Sequence, residues 1–150
     1  MKIENIVLGA SHSLCLLRNG KVLAWGSSKD GKMGLEGAMD RNFLTPKEIT
    51  TLDNISVYQM AAGTFHTLIL TEEGEIYSFG NSKDGKLGYD DPDTCVMIPR
   101  KIKNCPVFAK KFNNTDDRNS RFPLFSEYDD YFVYLNKGNK ILFIKFFRKQ

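Results

Sequence analysis

The chain lacks most of the features that point to catalysis, export or membrane insertion. Its 150 residues include only two histidines and three cysteines, and no Cys-x-x-Cys pair. No apolar run approaches the roughly 18 residues of a membrane-spanning helix, and the chain begins without a long apolar segment of the secretory type. Free thiols without an export signal predict an intracellular, reducing setting, either cytoplasmic or nuclear.

A strong charge of one sign is also absent. Residues 1–100 carry 10 Lys/Arg against 13 Asp/Glu, and residues 101–150 carry 11 against 5. The basic C-terminal part is typical of a solvated surface, so direct nucleic-acid binding is not expected. Hydrophobic residues make up 41% of the chain, which is enough for a packed core and excludes compositional disorder.

What the sequence has instead is one stretch that occurs twice. Residues 26–35 are Gly-Ser-Ser-Lys-Asp-Gly-Lys-Met-Gly-Leu, and residues 80–89 are Gly-Asn-Ser-Lys-Asp-Gly-Lys-Leu-Gly-Tyr. These are named here the first and second glycine loops. Their Ser-Lys-Asp-Gly-Lys core is identical, and the offset between the two copies is 82 − 28 = 54 residues.

Each glycine loop also matches the Gly-x-x-x-x-Gly-Lys opening of a phosphate-binding P-loop. That motif needs Ser or Thr after the lysine to hold Mg²⁺, at the start of a helix. Met33 and Leu87 occupy this position, and another glycine follows each of them. The sequence therefore favours a turn, in which Asp30-Gly31 and Asp84-Gly85 supply positive φ, and we expect no nucleotide, other cofactor or metal.

The similarity extends well beyond the two loops at the same offset. The shared positions are glycines, one histidine and one aromatic residue per unit. They are Gly9, His12, Gly20, Trp25, Gly26, Gly31 and Gly34 in the first unit, and Gly63, His66, Gly74, Phe79, Gly80, Gly85 and Gly88 in the second. A repeat of this length favours propeller blades over short helical repeats. We expect all of these positions to be structural, each histidine forming a hydrogen bond within its own blade.

Within each unit, short apolar runs separated by turns predict β-strands, and no helical period is present. Turns ending at Gly20 and Gly74 predict hairpins. Strands that open at Pro46 and Pro99, over residues 46–52 and 99–102, are predicted to be outer strands, where a missing N–H costs least. Apolar residues on both faces of the strands favour sheets packed between neighbouring sheets.

The repeat fails after about residue 106. Residues 1–106 are predicted to hold two repeats, at about 3–54 and 55–106. Residues 107–130 are polar and predict a mobile insertion, whereas residues 131–150 predict a degenerate hairpin of a partial third repeat. Cys15, Cys95 and Cys105 fall at unmatched repeat positions, which favours buried, inert thiols.

The shared positions resemble the repeat of the regulator of chromosome condensation family, with the pattern Gly-x-x-His-(Ser/Thr)-Leu followed by Gly, (Trp/Phe)-Gly and the glycine loop. The resemblance implies an all-β fold, a β-propeller of four-stranded antiparallel blades. Two blades and an extra C-terminal hairpin form only a partial β-propeller, since closed rings need more blades. We expect a piece of a longer propeller, or self-association that covers the open sheet edges.

The favoured function is a non-enzymatic protein–protein interaction module, or scaffold. Its partner-binding residues would be charged side chains exposed at the rim, namely Lys29, Asp30, Lys32, Lys83, Asp84 and Lys86. The alternative, implied by the resemblance, is guanine nucleotide exchange on a Ran-type small GTPase together with chromatin association. Fold alone does not decide between them.

Overall fold

A computed structural model describes residues 2–83, 86–89 and 95–103, and the backbone of two further strands at 131–136 and 140–145. These residues form ten β-strands and two single-turn 3-10 helices, Lys29–Gly31 and Thr50–Leu52, without an α-helix. The strands are β1 (Ile3–Leu8), β2 (His12–Leu17), β3 (Val22–Ser27), β4 (Asn42–Glu48), β5 (Val57–Ala62), β6 (His66–Thr71), β7 (Ile76–Asn81), β8 (Cys95–Lys101), β9 (Tyr131–Asn136) and β10 (Lys140–Lys145).

The strands form two four-stranded antiparallel sheets and one hairpin. The first sheet has the order β1-β2-β3-β4, the second sheet has the order β5-β6-β7-β8, and β9 pairs with β10. The predicted all-β partial propeller, with two blades and a C-terminal hairpin, is thus confirmed. The predicted insertion at 107–130, Cys105, and the residues that flank β9 and β10 lie outside the described residues.

The hairpin turns follow from glycines that accept positive φ. Gly20 (φ 85°) and Gly74 (φ 83°) end the turns between the second and third strands of their sheets, and each donates its N–H to the carbonyl three residues earlier, at 2.9 and 3.0 Å. The two sheets keep the same register, since His12 pairs with Gly26 and His66 pairs with Gly80. The 54-residue repeat is therefore also a structural repeat.

The outer strands begin earlier than the sequence predicts. β4 spans Asn42–Glu48 and β8 spans Cys95–Lys101, and residues 50–52 form a 3-10 turn where strand was predicted. In both strands the proline lies inside a register shift against the neighbouring strand. A residue without an N–H removes no ladder hydrogen bond at such a place, so the strand can pass through it. The predicted outer position of both strands is confirmed.

The hydrophobic core lies between the two sheets. Leu14 and Ala24 from the first sheet are fully buried together with Ile69 and Phe79 from the second. Because side chains alternate along a strand, only one face of each sheet contributes to this core. The sheets also approach closely at their inner ends, where the Ala10 N–H lies 3.4 Å from the Gly63 carbonyl oxygen.

Candidate functional site

The first glycine loop is a compact turn stabilised by its own backbone. Asp30 (φ 63°) and Gly31 (φ 79°) both adopt the left-handed conformation, which confirms the turn predicted there. Asp84 and Gly85 lie outside the described residues. The N–H groups of Gly31, Lys32 and Gly34 donate to carbonyls within the loop, at 3.0, 3.5 and 2.9 Å. A phosphate cradle needs such N–H groups to point at the ligand, so this conformation does not suit a P-loop.

Only part of the predicted rim is exposed. Lys29 and Lys83 are exposed, Asp30 and Lys86 are half-buried, and Lys32 retains only 3% of its accessible surface. The predicted exposure of Lys32 is therefore wrong. The loop turns this residue toward the second sheet, and burial lowers the pKa of the lysine, with the nearby Asp30 carboxylate opposing the shift.

The first glycine loop is held against the second sheet by two glycines. A Cβ on Gly31 would lie 2.7 Å from the Val96 carbonyl oxygen and 2.9 Å from the Cα of Met97. A Cβ on Gly34 would lie 2.8 Å from Cε2 of the Phe79 ring. No real Cβ tolerates such distances, so these glycines allow the loop to approach the neighbouring blade. The loop is thus a packing element between blades as well as a rim.

A chain of hydrogen bonds crosses the same boundary. The Thr67 hydroxyl donates to the Lys32 carbonyl oxygen at 2.6 Å, and its oxygen lies 2.8 Å from Nε2 of His12. Since the hydroxyl proton is used on Lys32, the hydroxyl oxygen accepts from a protonated Nε2. His12 therefore bonds to the neighbouring sheet, and the predicted hydrogen bond within its own blade is wrong for this residue. The repeat pattern predicts the position of His12 within its blade, but it does not predict which sheet supplies the hydrogen-bond partner of the ring.

The imidazole of His12 is neutral and enclosed. Burial, together with the nearby charges of Lys32 and His66, lowers the pKa of His12 to about 4. Nδ1 is buried without a hydrogen-bond partner, and it is the unprotonated nitrogen of the neutral ring, since Nε2 carries the proton. A Cβ on Gly9 would lie 2.5 Å from Cε1 of His12, and a Cβ on Gly63 would lie 2.6 Å from Cε1 of His66. In both sheets, the histidine ring therefore packs directly against the glycine three residues before it.

An ion pair joins the start of the third strand to the outer strand at the edge of each sheet. Nζ of Lys21 lies 2.6 Å from Oε1 of Glu48, and Lys101 pairs with Glu75. The repeat offset makes Lys21 equivalent to Glu75 and Glu48 equivalent to Lys101, so the charges are exchanged between the sheets. The hydrogen bond to Lys101 lowers the pKa of Glu75. These exposed pairs are screened by solvent and favour the register of the outer strand only weakly.

The cysteines separate into two environments. Cys15 is buried in β2, as predicted, and burial raises its pKa. Cys95 is exposed at the start of β8, with its Sγ 3.7 Å from Oδ1 of Asp30, so its predicted burial is wrong. Cys95 begins an outer strand, which has one solvent-facing edge, and this position leaves its side chain exposed.

Within residues 2–83, 86–89 and 95–103, no three side chains of the His, Cys, Asp and Glu types gather as metal ligands would. The same described residues include no helix that is long and apolar enough to cross a membrane. Lys29, with Ser27, Asp40 and Asn42, lines a shallow, open depression at the rim.

Sequence reasoning missed Thr67, which connects the two sheets. A signal was present, because a hydroxyl residue follows the histidine in both units, as Ser13 and as Thr67. A hydroxyl at the same repeat position predicts a recurring hydrogen bond. The partner could not be found without knowing that the first glycine loop lies on the second sheet.

Two sequence profiles of the regulator of chromosome condensation (RCC1) repeat match the chain. One matches residues 19–70 and 73–112, and the other matches residues 3–32 and 57–86. The segment 19–70 runs from the turn before β3 through β4, β5 and β6, so it crosses the boundary between the sheets. The matched unit therefore includes both the first glycine loop and Thr67, whose hydroxyl donates to the Lys32 carbonyl oxygen across this boundary.

Similar proteins are much longer than this chain. The probable E3 ubiquitin-protein ligase HERC4 of Homo sapiens is 38% identical over 104 residues, which is 69% of this chain and 10% of that protein. The ultraviolet-B receptor UVR8 of Arabidopsis thaliana is 33% identical over 102 residues, 68% of this chain and 22% of the receptor. The solved structure of Prp20p from Saccharomyces cerevisiae aligns with a TM-score of 0.59 at 28% identity, covering 71% of this chain and 28% of Prp20p.

Proposed function

This chain belongs to the regulator of chromosome condensation (RCC1) repeat family, and from that premise we propose that it is a non-enzymatic protein–protein interaction module. Within it, the two blades act as a scaffold and the glycine loops present charged side chains to a protein partner. The family is built from blades that hold loops at a rim, and rigid blades suit binding loops. We further propose an intracellular setting, because Cys15 and Cys95 are free thiols.

The observation that carries the proposal is the equivalent exposure of Lys29 and Lys83. These two lysines occupy the same position in the two glycine loops, and both are exposed, whereas Lys32 is used in packing between the sheets. Two like charges at one rim, in a fixed repeat spacing, suit an acidic protein surface. Asp30, Asp84 and Lys86 belong to the same proposed rim, and Lys32 is removed from it.

Charge reversal tests this proposal. The 150-residue chain is immobilised and used to capture proteins from a cell lysate, and a specific partner is identified by its saturable binding. The Lys29→Glu/Lys83→Glu variant is expected to bind that partner at least about tenfold more weakly, since charge repulsion at an interface costs more than the loss of an attraction. The matched control is Arg18→Glu/Lys47→Glu, which makes the same change of charge at two exposed positions of the first repeat, one in the β2–β3 turn and one in β4. Equal weakening by both variants would contradict a specific rim.

A second candidate function is exchange of guanine nucleotides on a Ran-type small GTPase, with association to chromatin. It is favoured by the likeness to Prp20p, whose solved structure is described together with its binding to Gsp1p and histones. The chain spans little more than a quarter of Prp20p, so any exchange surface here would be incomplete or would be shared with another chain. Accelerated release of a fluorescent GDP analogue from the GTPase would support exchange. Release at the intrinsic rate would contradict it and leave the interaction module.

A further inference from the structure

The first sheet has one face that packs on the second sheet and one that does not. Val7, Leu14 and Ala24 point toward the core between the sheets. Their neighbours along the strands point the other way, and the pairs Leu8–Ser13 and Ser13–Trp25 place these three on one face. The open face is defined by its accessible residues, Ile3, Ile6, Leu8, Ser13, Trp25 and Leu44. Cys15 and Leu17, which pair with Ile6 and Ile3, lie on the same face but are buried among these neighbours.

This open face is more apolar and more exposed than a solvated sheet needs. Ile3, Ile6, Leu8 and Leu44 retain 49%, 47%, 71% and 94% of their accessible surface. They account for half of the eight exposed large hydrophobic residues among those that the structure describes. A contiguous apolar face of this kind marks an interaction site.

The equivalent face of the second sheet is packed against the first repeat, so it shows which contacts such a face makes. In the second sheet, the residues equivalent to those of the open face lie on the face that packs against the first sheet. The first repeat buries them there. Val57, equivalent to Ile3, retains 8%, and Met60, equivalent to Ile6, retains 3%. Phe79, equivalent to Trp25, and Thr67, equivalent to Ser13, are fully buried under the first glycine loop.

Residues 86–89 of the second glycine loop are the repeat counterparts of residues 32–35 in the first. Lys86 and Gly88 are half-buried, whereas their equivalents in the first glycine loop, Lys32 and Gly34, are buried against the second sheet. Gly88 has φ 76°, close to the 68° of Gly34. The carbonyl of Lys86 and the small residue Gly88 therefore correspond to the carbonyl of Lys32 and to Gly34, through which the first glycine loop contacts the second sheet.

We propose that the open face of one chain receives residues 86–89 of a second copy, in a head-to-tail arrangement that repeats the contact between the two blades. The Lys86 carbonyl of one copy accepts from the Ser13 hydroxyl of the next, and Gly88 lies on the Trp25 ring. The contact is heterologous, so it extends to more than two copies or closes into a ring. It deepens the self-association expected for a partial propeller, and it does not depend on the side chains of Lys29 and Lys83.

The test measures the mass of the 150-residue chain by sedimentation as its concentration is raised. The expected result is a weight-average mass that grows beyond two copies, with a blue shift of the emission of Trp25, the single tryptophan. Leu8→Glu and Leu44→Glu, each placing a charge on the open face, are expected to return the mass to that of one copy. Met39→Glu is the control, since Met39 is a 64% exposed apolar residue outside the strands and should leave the growth unchanged.

Mixing separates a head-to-tail contact from a face-to-face dimer. A Leu8→Glu chain keeps its second glycine loop, so it should cap wild-type assemblies and lower their mass, whereas two open faces packed on each other would exclude it. The proposal is overturned by a monomer at every concentration, by a mass that Leu8→Glu and Leu44→Glu do not change, or by a dimer that takes up no Leu8→Glu chain. Because partner capture through Lys29 and Lys83 is measured separately, failure here leaves the interaction module standing.

Discussion

Gly34 sets the distance between the two sheets by having no side chain. It adopts φ 68°, and a Cβ at this position would lie 2.8 Å from the Phe79 ring. Gly37 has the same φ of 68°, yet no heavy atom lies within 4 Å of the place its Cβ would occupy. Comparing Gly34 with Gly37 therefore separates two contributions to the free energy of unfolding: the left-handed backbone conformation, which both share, and the contact with the neighbouring blade, which only Gly34 makes.

Gly34→Ala is expected to destabilise the chain more than Gly37→Ala. Both variants lose about 1–2 kcal/mol because an L-residue is forced into the left-handed region. Gly34→Ala loses a further 1–3 kcal/mol or so because the methyl group displaces the Phe79 ring. Urea unfolding measures both losses. Equal losses would show that the ring moves aside freely and that the glycine serves only the turn.

At the scale of elements, β2, β6 and the first glycine loop are joined through His12, Thr67 and the Lys32 carbonyl. The link needs a neutral imidazole that donates from Nε2. Burial lowers the pKa of His12 to about 4, below the value of about 6.5 in an unfolded chain. Between these pH values the unfolded chain binds a proton that the folded chain excludes.

Stability should therefore fall in acid. The contribution of His12 is complete above about pH 6.5 and is lost as the pH falls toward about 4, to a total of roughly 3 kcal/mol at most. The measurement is urea unfolding at several pH values, compared with His12→Gln. The glutamine amide can donate to Thr67 but does not titrate in this range, while the carboxylates are common to both proteins. The same acid loss in both proteins would contradict a role for His12 protonation.

The elements themselves follow from the sequence to a large extent. Gly20 and Gly74 fix the hairpins because only a left-handed residue closes these turns, and the apolar runs on either side give β2, β3, β6 and β7. The start of β4 was missed because Pro46 looks like a boundary until the register shift around it is seen.

The site was harder to predict for a different reason. A repeat offset gives the position of Lys32 and His12 in each blade, but it does not say which neighbouring sheet a loop or a ring will meet. Lys32 was expected in solvent and His12 in its own blade, whereas both meet Thr67 in the second sheet. Contacts between repeats arise when neighbouring repeats stack. The spacing of residues within one repeat does not show which residues of the next repeat they will contact.

At the scale of the whole molecule, the two blades share a single core. Leu14 and Leu16 of the first sheet lie in one cluster with Ile69 and Phe79 of the second. Neither sheet can therefore bury its inner face alone. Repeat proteins gain their stability from such contacts between neighbours, so the two blades should unfold together.

A side-chain truncation in one blade should therefore lower the stability of the other blade as well. Ile69 is fully buried in β6, and Ile69→Ala is expected to cost about 2–5 kcal/mol. The single tryptophan, Trp25, lies in the first sheet, so its emission reports on the blade that was not changed. At concentrations low enough to keep the chain monomeric, the urea midpoints from Trp25 emission and from circular dichroism should fall by the same amount. If Trp25 kept its wild-type midpoint while the circular dichroism split into two steps, the blades would be independent, and the contacts of His12, Gly34 and Thr67 would not couple them.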